Sequence, residues 1–243
     1  MKYCVLDNDV LDPEVAPLYI SYGAMFERLL RGAGAQGTFE IFNTTLGQYP
    51  ASFDDFDAVL LTGSRADAFS QDPWVRVLRE RVEELLQARK KLVGICFGHQ
   101  LIALCLGARV GRAPQGWGVG RLTYQWHAPE LVAGRTELSL LASHQDQVFE
   151  LPPGAKLLAS SEFCPVAAFS VGQHVFCVQP HPEFVEDYNA YLLGKRRELL
   201  GEDTYNTGLS SLALDHDGLV VARVMRAFLE DKSESNWPLA FMK

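Results

Sequence analysis

Ten consecutive residues, 91–100 with the sequence KLVGICFGHQ, constrain the fold of this chain more than any other stretch. The apolar residues 92–95 predict a short buried strand, and the residues after Cys96 predict a helix that begins at once. Cys96 itself stands at the junction, between Gly94 and Gly98. Both glycines are required because a Cβ at either position would crowd the adjoining strand and helix. The stretch therefore predicts a strand that turns abruptly into a helix.

A cysteine in this position has the chemistry of a nucleophile. Cys96 precedes the first turn of the predicted helix, where unpaired backbone N–H groups and the positive end of the helix dipole favour a thiolate over a thiol. The same N–H groups are able to stabilise the negative oxygen of a tetrahedral intermediate. The alternative is a structural role, since a lone cysteine in an apolar strand is more often a small core residue. A second motif is needed to decide between the two.

Residues 175–184, with the sequence VFCVQPHPEF, supply that motif. An apolar strand places His181 at its end, and Glu183 follows two residues later. Pro180 and Pro182 are expected to keep the chain extended, because a residue before proline is driven out of the helical region. Side chains two residues apart in an extended chain point to the same side. Glu183 is therefore expected to orient the imidazole of His181 and to stabilise its protonated form.

Taken together, the two motifs resemble those of the class I glutamine amidotransferase family, whose members use a Cys-His-Glu triad. The resemblance rests on the GICFGHQ motif at 94–100 and on His181-Pro182-Glu183, which occur in the order and at the separation typical of the family. It extends from the first strand to about Glu183. The resemblance implies that Cys96 is the nucleophile, that His181 transfers protons and that Glu183 orients the histidine.

The resemblance also implies where the oxyanion is bound. The predicted strand 57–61 ends in a turn that carries a glycine-rich segment in the family, and a backbone N–H of this turn is one of two oxyanion donors. By position this donor is the N–H of Ser64, next to Gly63, and the second donor is the N–H of Phe97. This sequence has Gly-Ser where many members have Gly-Gly, a change that a backbone donor tolerates.

Further residues are implied to contact the substrate. Gln100, one helical turn after the nucleophile, occupies a substrate-contacting position of the family, and capping or packing within the turn is its alternative role. The segment Ser143-His144-Gln145-Asp146 corresponds to a family segment that contacts the α-amino acid end of the substrate, largely through its backbone, and Ser143, His144 and Gln145 are its expected substrate-binding residues. Gln145 stands where glycine is frequent. His144 also competes with His181 for the role of catalytic base.

Strand and helix patterns alternate in the first part of the chain. Short apolar runs predict strands at 3–7, 38–42, 57–61 and 92–95. The helices between them are expected to begin after Ser21, as a cap, and at Asp72-Pro73. The apolar stripe of the second of these helices is expected to comprise Trp74, Val77, Leu78, Val82, Leu85 and Leu86. The alternation predicts a parallel sheet built from βαβ units.

The pattern changes after Gly107. Strand-like runs follow at 119–126, 136–141, 156–160, 166–169 and 175–178, with a glycine-rich loop at 111–120 that carries Trp117 near the site. The expected fold is α/β, a mostly parallel central sheet flanked by helices with an additional antiparallel strand region, and the resemblance implies the same flavodoxin-like arrangement. Residues 1–230, including two C-terminal helices, are expected to form one domain. Residues 231–243 are expected to form a tail that contains Trp237-Pro238.

Composition argues against several classes of protein. The 243 residues carry a formal net charge of −8, which argues against a surface for nucleic acid or for an anionic membrane. The sequence has neither a basic and apolar leader nor an apolar stretch of membrane-spanning length, so a soluble, cytoplasmic protein is expected. Its five cysteines do not suggest a disulfide framework. Cys96-x-x-His99 is half of a metal site without a second pair to complete it, so neither a metal nor another cofactor is expected.

The sequence therefore predicts an amidohydrolase that cleaves the γ-amide of glutamine through a γ-glutamyl thioester on Cys96, giving glutamate and ammonia. Two versions stay open: a glutaminase subunit with a separate synthetase partner, and a stand-alone hydrolase of γ-glutamyl peptides or amines. No P-loop is present, and only two helices and a tail are expected after Glu183, which leaves no room for a fused synthetase. A cysteine-dependent α/β-hydrolase is disfavoured because its acid would precede the histidine. A non-catalytic relative is disfavoured because its triad would be expected to be broken.

Overall fold

The computed structural model describes residues 1–231, which form a nine-stranded mixed sheet and a separate two-stranded sheet. The strands are β1 (Lys2–Asp7), β2 (Thr38–Asn43), β3 (Ala58–Leu61), β4 (Lys91–Ile95), β5 (Val110–Arg112), β6 (Gly118–Trp126), β7 (Glu137–His144), β8 (Asp146–Val148), β9 (Lys156–Ser160), β10 (Ala168–Val171) and β11 (Val175–Val178). The order in the large sheet is β2-β1-β3-β4-β11-β10-β9-β6-β7, and β5 pairs with β8. The pairing of β4 with β11 therefore joins the two halves of the large sheet.

Helices flank the large sheet. Within the described residues they are α1 (Ala16–Tyr19), α2 (Tyr22–Gly32), α3 (Pro73–Gln87), α4 (Phe97–Cys105), α5 (Glu186–Lys195), α6 (Arg197–Leu200), α7 (Glu202–Ser211) and α8 (Gly218–Glu230). None of these helices combines the length and the apolar character needed to cross a membrane. The expected tail with Trp237-Pro238 lies outside the described residues, and the expected domain boundary at 230 stays a prediction.

The parallel half of the sheet contains the strands that the short apolar runs predict. β1 pairs in parallel with β2 and β3, β3 pairs with β4, and β4 pairs with β11. Successive residues of β1 face opposite sides: Tyr3 and Val5 belong to the core that includes α2 and α8, and Cys4 and Leu6 to the core that includes α3 and α4. Because parallel neighbours end at the same edge of a sheet, the segments after β3, β4 and β11 lie together.

The antiparallel half confirms the change of pattern after Gly107. β11, β10, β9, β6 and β7 pair antiparallel in that order. β10 begins two residues later than the expected start at 166. The sequence did not predict β5 and β8, because strands of three residues are too short to show a period. The segment 111–120 is therefore a loop only in its middle, since its ends belong to β5 and β6.

The starts of α2 and α3 differ in their capping. Ser21 Oγ accepts a hydrogen bond from the backbone N–H of Ala24 at 3.1 Å, as expected of an N-cap. Asp72 occupies the N-cap position of α3 and Pro73 its first turn, as expected, but the Asp72 side chain makes no capping hydrogen bond. The apolar stripe of α3 also differs, with Val75 buried and Val77 40% exposed. Val77 lies about 200° further round the helix than Val75, on the solvent side.

Candidate active site

Cys96 is the single residue between β4 and α4, and its backbone is left-handed, with φ 50° and ψ −102°. Such a conformation costs a non-glycine residue about 1–3 kcal/mol, so the surroundings must enforce it. An added Cβ at Gly94 would lie 2.7 Å from the backbone of Gly98, and one at Gly98 would lie 2.6 Å from the carbonyl oxygen of Leu61. The backbone N–H of Cys96 donates to the carbonyl oxygen of Val178 at 3.0 Å. The predicted need for small neighbours is confirmed.

His181 follows β11 and reaches the nucleophile from the neighbouring strand end. Its Nδ1 lies 2.7 Å from Glu183 Oε1, and both side chains are buried. The ring stacks on Phe184 with centroids 3.8 Å apart, and the backbone N–H of His181 donates to the carbonyl oxygen of Leu141 at 2.8 Å. The expected histidine–carboxylate contact is therefore formed. The expectation of an extended chain is wrong, because the backbone turns directly after His181.

The charge of His181 follows from its neighbours. Burial alone would lower the pKa of the imidazole, but the Glu183 carboxylate and the Cys96 sulfur, to which the ring is hydrogen-bonded, raise this pKa to about 10. His181 therefore carries a proton at neutral pH. Burial lowers the pKa of His144 to about 4, and its Nδ1 lies 3.0 Å from the carbonyl oxygen of Asp146. Of these two histidines, His181 has the contacts that a triad requires.

The turn after β3 packs directly against the triad. An added Cβ at Gly63 would lie 2.8 Å from His181 Cε1 and 3.6 Å from Cys96 Cβ, so this close approach requires glycine. Ser64 follows, and its hydroxyl accepts a hydrogen bond from the backbone N–H of Ala66 at 3.1 Å. The turn is therefore held by its own hydrogen bond at the position where the sequence places the oxyanion donor.

The first turn of α4 contributes Phe97 and Gln100. Phe97 is the first residue of the helix, where backbone N–H groups have no acceptor within the helix, and its ring stacks on Trp74 with centroids 5.6 Å apart. Gln100 Nε2 donates to the carbonyl oxygen of Asp146 at 2.8 Å and to Gln179 Oε1 at 3.1 Å. Gln100 thus lines the site while its amide nitrogen ties α4 to β8, in agreement with the packing role that was the alternative.

The nucleophile opens onto a cleft with about 550 Å³ of empty volume. The predicted site residues in its lining are Ser64, Cys96, Gln100, Ser143, His144 and Gln145. The other predicted site residues, which are buried, are Gly63, Phe97, His181 and Glu183. The arrangement can accept a small substrate whose reacting carbonyl group lies at Cys96.

The sequence of this chain matches the family model described as "Glutamine amidotransferase class-I" over residues 16–193. The chain belongs to this family. A relative, gamma-glutamyl peptidase 3 of Arabidopsis thaliana, is 38% identical over 175 residues, which cover 68% of this chain and 70% of the relative. One subunit of the glutamine-hydrolysing GMP synthase of Thermococcus kodakarensis is 38% identical over 120 residues, which cover 46% of this chain and 61% of that relative. The family resemblance inferred from the two motifs is confirmed.

A solved structure has the same fold. The crystal structure of a glutamine amidotransferase from Thermotoga maritima matches with a TM-score of 0.76 and 19% identity, covering 95% of this chain and 99% of that chain. At this identity the match shows the fold alone. The expected sheet, mostly parallel with an antiparallel region, is confirmed.

Several charged side chains of this amidotransferase-family cleft were missed from the sequence, namely Arg65, Asp67, Arg112 and Arg196. Trp117, which was expected near the site, also lines the cleft. Asp146, the last residue of the predicted segment 143–146, lines the cleft as well, although no role was assigned to its side chain. Arg112 lies in the glycine-rich segment 111–120 that was expected near the site, whereas Arg196 belongs to a stretch that no signal in the sequence marked.

Most charges of the cleft are paired. Arg112 lies 2.9 Å from the carboxylates of both Asp67 and Asp146. Burial raises the pKa of Asp146 to about 6, the neighbouring Asp67 adds to this rise, and Arg112 opposes it. Within residues 1–231, no group of three or more His, Cys, Asp or Glu side chains is placed to hold a metal ion. All five cysteines of the chain are free thiols.

Proposed function

We propose that this protein hydrolyses the γ-amide bond of γ-glutamyl compounds, glutamine among them, through a γ-glutamyl thioester on Cys96. The observation that carries the proposal is the constellation of Cys96, His181 and Glu183 at an open cleft, with a protonated His181 between the sulfur and the carboxylate. Membership of the class I glutamine amidotransferase family supports the same chemistry.

In the first step, the Cys96 thiolate attacks the γ-carbonyl carbon, and the carbonyl oxygen becomes a tetrahedral oxyanion. The backbone N–H groups of Ser64 and Phe97 are the proposed donors to this oxygen. Each donor of this kind lowers the barrier by about 3 kcal/mol. The N-terminus of α4 also favours negative charge on the sulfur and on the oxyanion.

In the second step, His181 gives its proton to the amide nitrogen, the C–N bond breaks, and ammonia or an amine leaves. The γ-glutamyl group remains on Cys96 as a thioester. The neutral His181 then takes a proton from water, whose oxygen attacks the thioester carbon, and the C–S bond breaks to release glutamate. Glu183 holds the ring and stabilises its protonated form, which is restored when His181 takes the proton from water.

The leaving group separates two versions of this function. Hydrolysis of glutamine alone would suit a protein that passes ammonia to a separate synthetase, and one relative belongs to a glutamine-hydrolysing GMP synthase. Hydrolysis of γ-glutamyl peptides or amines would suit an independent enzyme, and two relatives are named gamma-glutamyl peptidases 3 and 4. The relatives named gamma-glutamyl peptidases match a larger share of this chain, 68% and 70% against 46% for the GMP synthase subunit, and this supports the second version.

The test is the kcat/KM of the pure protein for glutamine and for a panel of γ-glutamyl dipeptides and amines, with glutamate release as the readout. We expect hydrolysis of glutamine and of at least one γ-glutamyl dipeptide or amine without any partner. Strict selectivity for glutamine, with strong activation by a co-purifying synthetase, would refute the peptidase version. Release of glutamate from none of these compounds would refute both versions.

A further inference from the structure

Arg196 is a cleft residue outside both catalytic motifs. It stands between α5 and α6 and is half-buried. One guanidinium nitrogen donates to Ser143 Oγ at 2.9 Å, and the guanidinium carbon lies 5.2 Å from the centroid of the Trp117 ring. All three residues line the cleft that contains Cys96. Two neighbours therefore hold a cation at the substrate cleft.

The other two arginines of the cleft are neutralised by carboxylates. Arg65 lies 3.0 Å from Asp9 and 3.3 Å from Asp12, and Arg112 is paired with the two carboxylates described above. Arg196 forms no ion pair with a carboxylate in the described part of the chain, where its side chain donates to one hydroxyl. A guanidinium has five N–H donors, so Arg196 retains the capacity to bind an anion.

We propose that Arg196 binds the α-carboxylate of the γ-glutamyl group. This assignment rests on the proposed function, which sets the class of substrate. Glutamine and every γ-glutamyl peptide carry the α-carboxylate at the same number of bonds from the reacting carbonyl, whereas glutamine has no carboxylate in its leaving group. A planar guanidinium matches a carboxylate with two parallel hydrogen bonds, which are stronger than bonds between neutral groups.

Ser143 and Trp117 act as positioning residues for this contact. The Ser143 hydroxyl accepts from the guanidinium and fixes its direction, and the Trp117 ring lies against it. An arginine side chain loses rotational freedom when it binds, and these two contacts restrict that freedom before the substrate arrives. In this proposal the Ser143 side chain acts on the α-amino acid end through Arg196, in addition to the backbone contact that the family resemblance implies for its segment.

The test measures equilibrium binding by calorimetry in the Cys96→Ala protein, where no turnover consumes the ligand. The ligands are glutamine and its α-amide, in which a neutral carboxamide replaces the α-carboxylate. Arg196→Met is expected to raise the Kd of glutamine about tenfold to a hundredfold and to leave the Kd of the α-amide nearly unchanged. Arg196→Lys keeps the charge without the planar guanidinium, and its Kd for glutamine is expected to lie between those of the Arg196 protein and the Arg196→Met protein.

Arg197 provides a matched control, because it is the next residue and its exposed guanidinium is paired with Glu202 at 2.7 Å. Arg197→Met removes the same charge and is expected to change neither Kd. Equal losses for both ligands in Arg196→Met would overturn the assignment, since they would indicate a purely structural role. A second comparison uses γ-glutamylglycine, which has a carboxylate in its leaving group, and γ-glutamylmethylamide, which has none. If Arg196→Met weakens the binding of γ-glutamylglycine but not of γ-glutamylmethylamide, the assignment is overturned as well.

Failure of the proposed function gives a different pattern from failure of this assignment. If the wild-type chain releases glutamate from no γ-glutamyl compound, the hydrolase proposal is wrong, whatever the Arg196 variants bind. If the Cys96→Ala protein binds no glutamine at all, the assignment of Arg196 is wrong, whatever the wild-type chain hydrolyses.

Discussion

Two parts of the cleft are built in different ways. The Cys96 wall (Gly63, Ser64 and Cys96, backed by His181) comes from the ends of β3, β4 and β11, which are neighbours in the parallel half of the sheet. Cys96 and His181 are buried, and the nucleophile has a strained backbone. The Arg196 wall (Trp117, Ser143 and Arg196) comes from the antiparallel half and from the junction of α5 and α6, and its side chains are half-buried.

The difference follows from what each wall has to do. Attack on a carbonyl requires atoms held in one geometry, and a shift of about 1 Å can cost a hundredfold in rate. Holding the charged end of a substrate depends on a few hydrogen bonds that flexible side chains can make. Changes in the Cys96 wall should therefore reduce kcat by orders of magnitude, and changes in the Arg196 wall should mainly raise KM by smaller factors.

The largest effect is expected at the nucleophile. Cys96→Ala removes the sulfur that forms the thioester and should reduce kcat by about a millionfold, the loss seen when a hydrolase loses its nucleophile. Cys105→Ala is the control, because this thiol is partly buried and lies outside the cleft lining. Glutamate release and labelling by a glutamine-like electrophile are the readouts. Normal turnover by Cys96→Ala would remove the basis for the mechanism.

The second effect ranks the other two members of the triad. His181→Ala removes the proton carrier and should cost about as much as loss of the nucleophile, whereas Glu183→Gln removes an orienting charge and should cost about ten-thousandfold in kcat. His144→Ala should keep far more activity than His181→Ala. A nearly normal His181→Ala protein beside an inactive His144→Ala protein would show that His144 is the base.

The same Glu183→Gln variant should change the pH dependence. Glu183 helps to raise the pKa of His181 from its ordinary 6.5 to about 10. Without the charge of Glu183, the effect of burial lowers the pKa of His181. The loss of activity at high pH should therefore begin at a lower pH in the variant. Protonated His181 stabilises the wild-type fold fully below about pH 6.5 and less as the pH rises to about 10. Denaturant unfolding across this range should show a smaller decline in Glu183→Gln. Identical profiles for both proteins would contradict the assigned contact.

An intermediate effect is expected at Gly63. In Gly63→Ala the new methyl group would lie 2.8 Å from His181 Cε1, so the ring or the turn has to move, and kcat should fall about a hundredfold. Gly32→Ala is the matched control, because an exposed glycine at the end of α2 has no neighbour near the added Cβ. Rates measured at saturating substrate test this. An unchanged kcat in Gly63→Ala would place the turn outside the reaction geometry.

The smallest effect is expected in the Arg196 wall. Trp117→Leu removes the ring that lies against the Arg196 guanidinium, a contact worth about 0.5–1 kcal/mol at a partly exposed site, so KM should rise about two- to fivefold with little change in kcat. Phe149→Leu removes a similar contact, with Arg109 at 4.6 Å, outside the cleft lining and should leave KM unchanged. A large fall in kcat for Trp117→Leu would contradict the assignment of catalysis to the Cys96 wall and of substrate binding to the Arg196 wall.

The Cys96 wall could be predicted from the sequence because its determinants are local. A run of apolar residues, a cysteine between two glycines and a histidine with a glutamate two residues later each leave a mark within ten residues. The parallel strands were predictable for the same reason, since each is a short continuous apolar run. The patterns alone did not give the strand order, so the expectation that Cys96 meets His181 came from the family resemblance, and the pairing of β4 with β11 brings the two motifs together.

The Arg196 wall was predicted only in part, since Ser143 and the loop of Trp117 were expected at the site and Arg196 was not. Trp117, Ser143 and Arg196 are far apart in sequence, and their contact depends on how α5 packs against the antiparallel strands. An arginine between two helices is most often a solvated side chain, so its type and position alone did not point to the cleft. β5 and β8 were missed because a strand of three residues is too short to show a periodic pattern. The pairing of these two strands brings Arg112 beside Asp146, so this ion pair could not be predicted either.

The mechanism requires that the γ-glutamyl group becomes attached to Cys96, and mass analysis of an acid-quenched reaction detects this attachment. The pure protein is mixed with the γ-glutamyl compound that it cleaves fastest, quenched during turnover and digested at low pH. We expect a mass increase of one γ-glutamyl group on the peptide that contains Cys96 and on no other cysteine peptide. Turnover with the adduct on another residue, or continued turnover by Cys96→Ala, would contradict it.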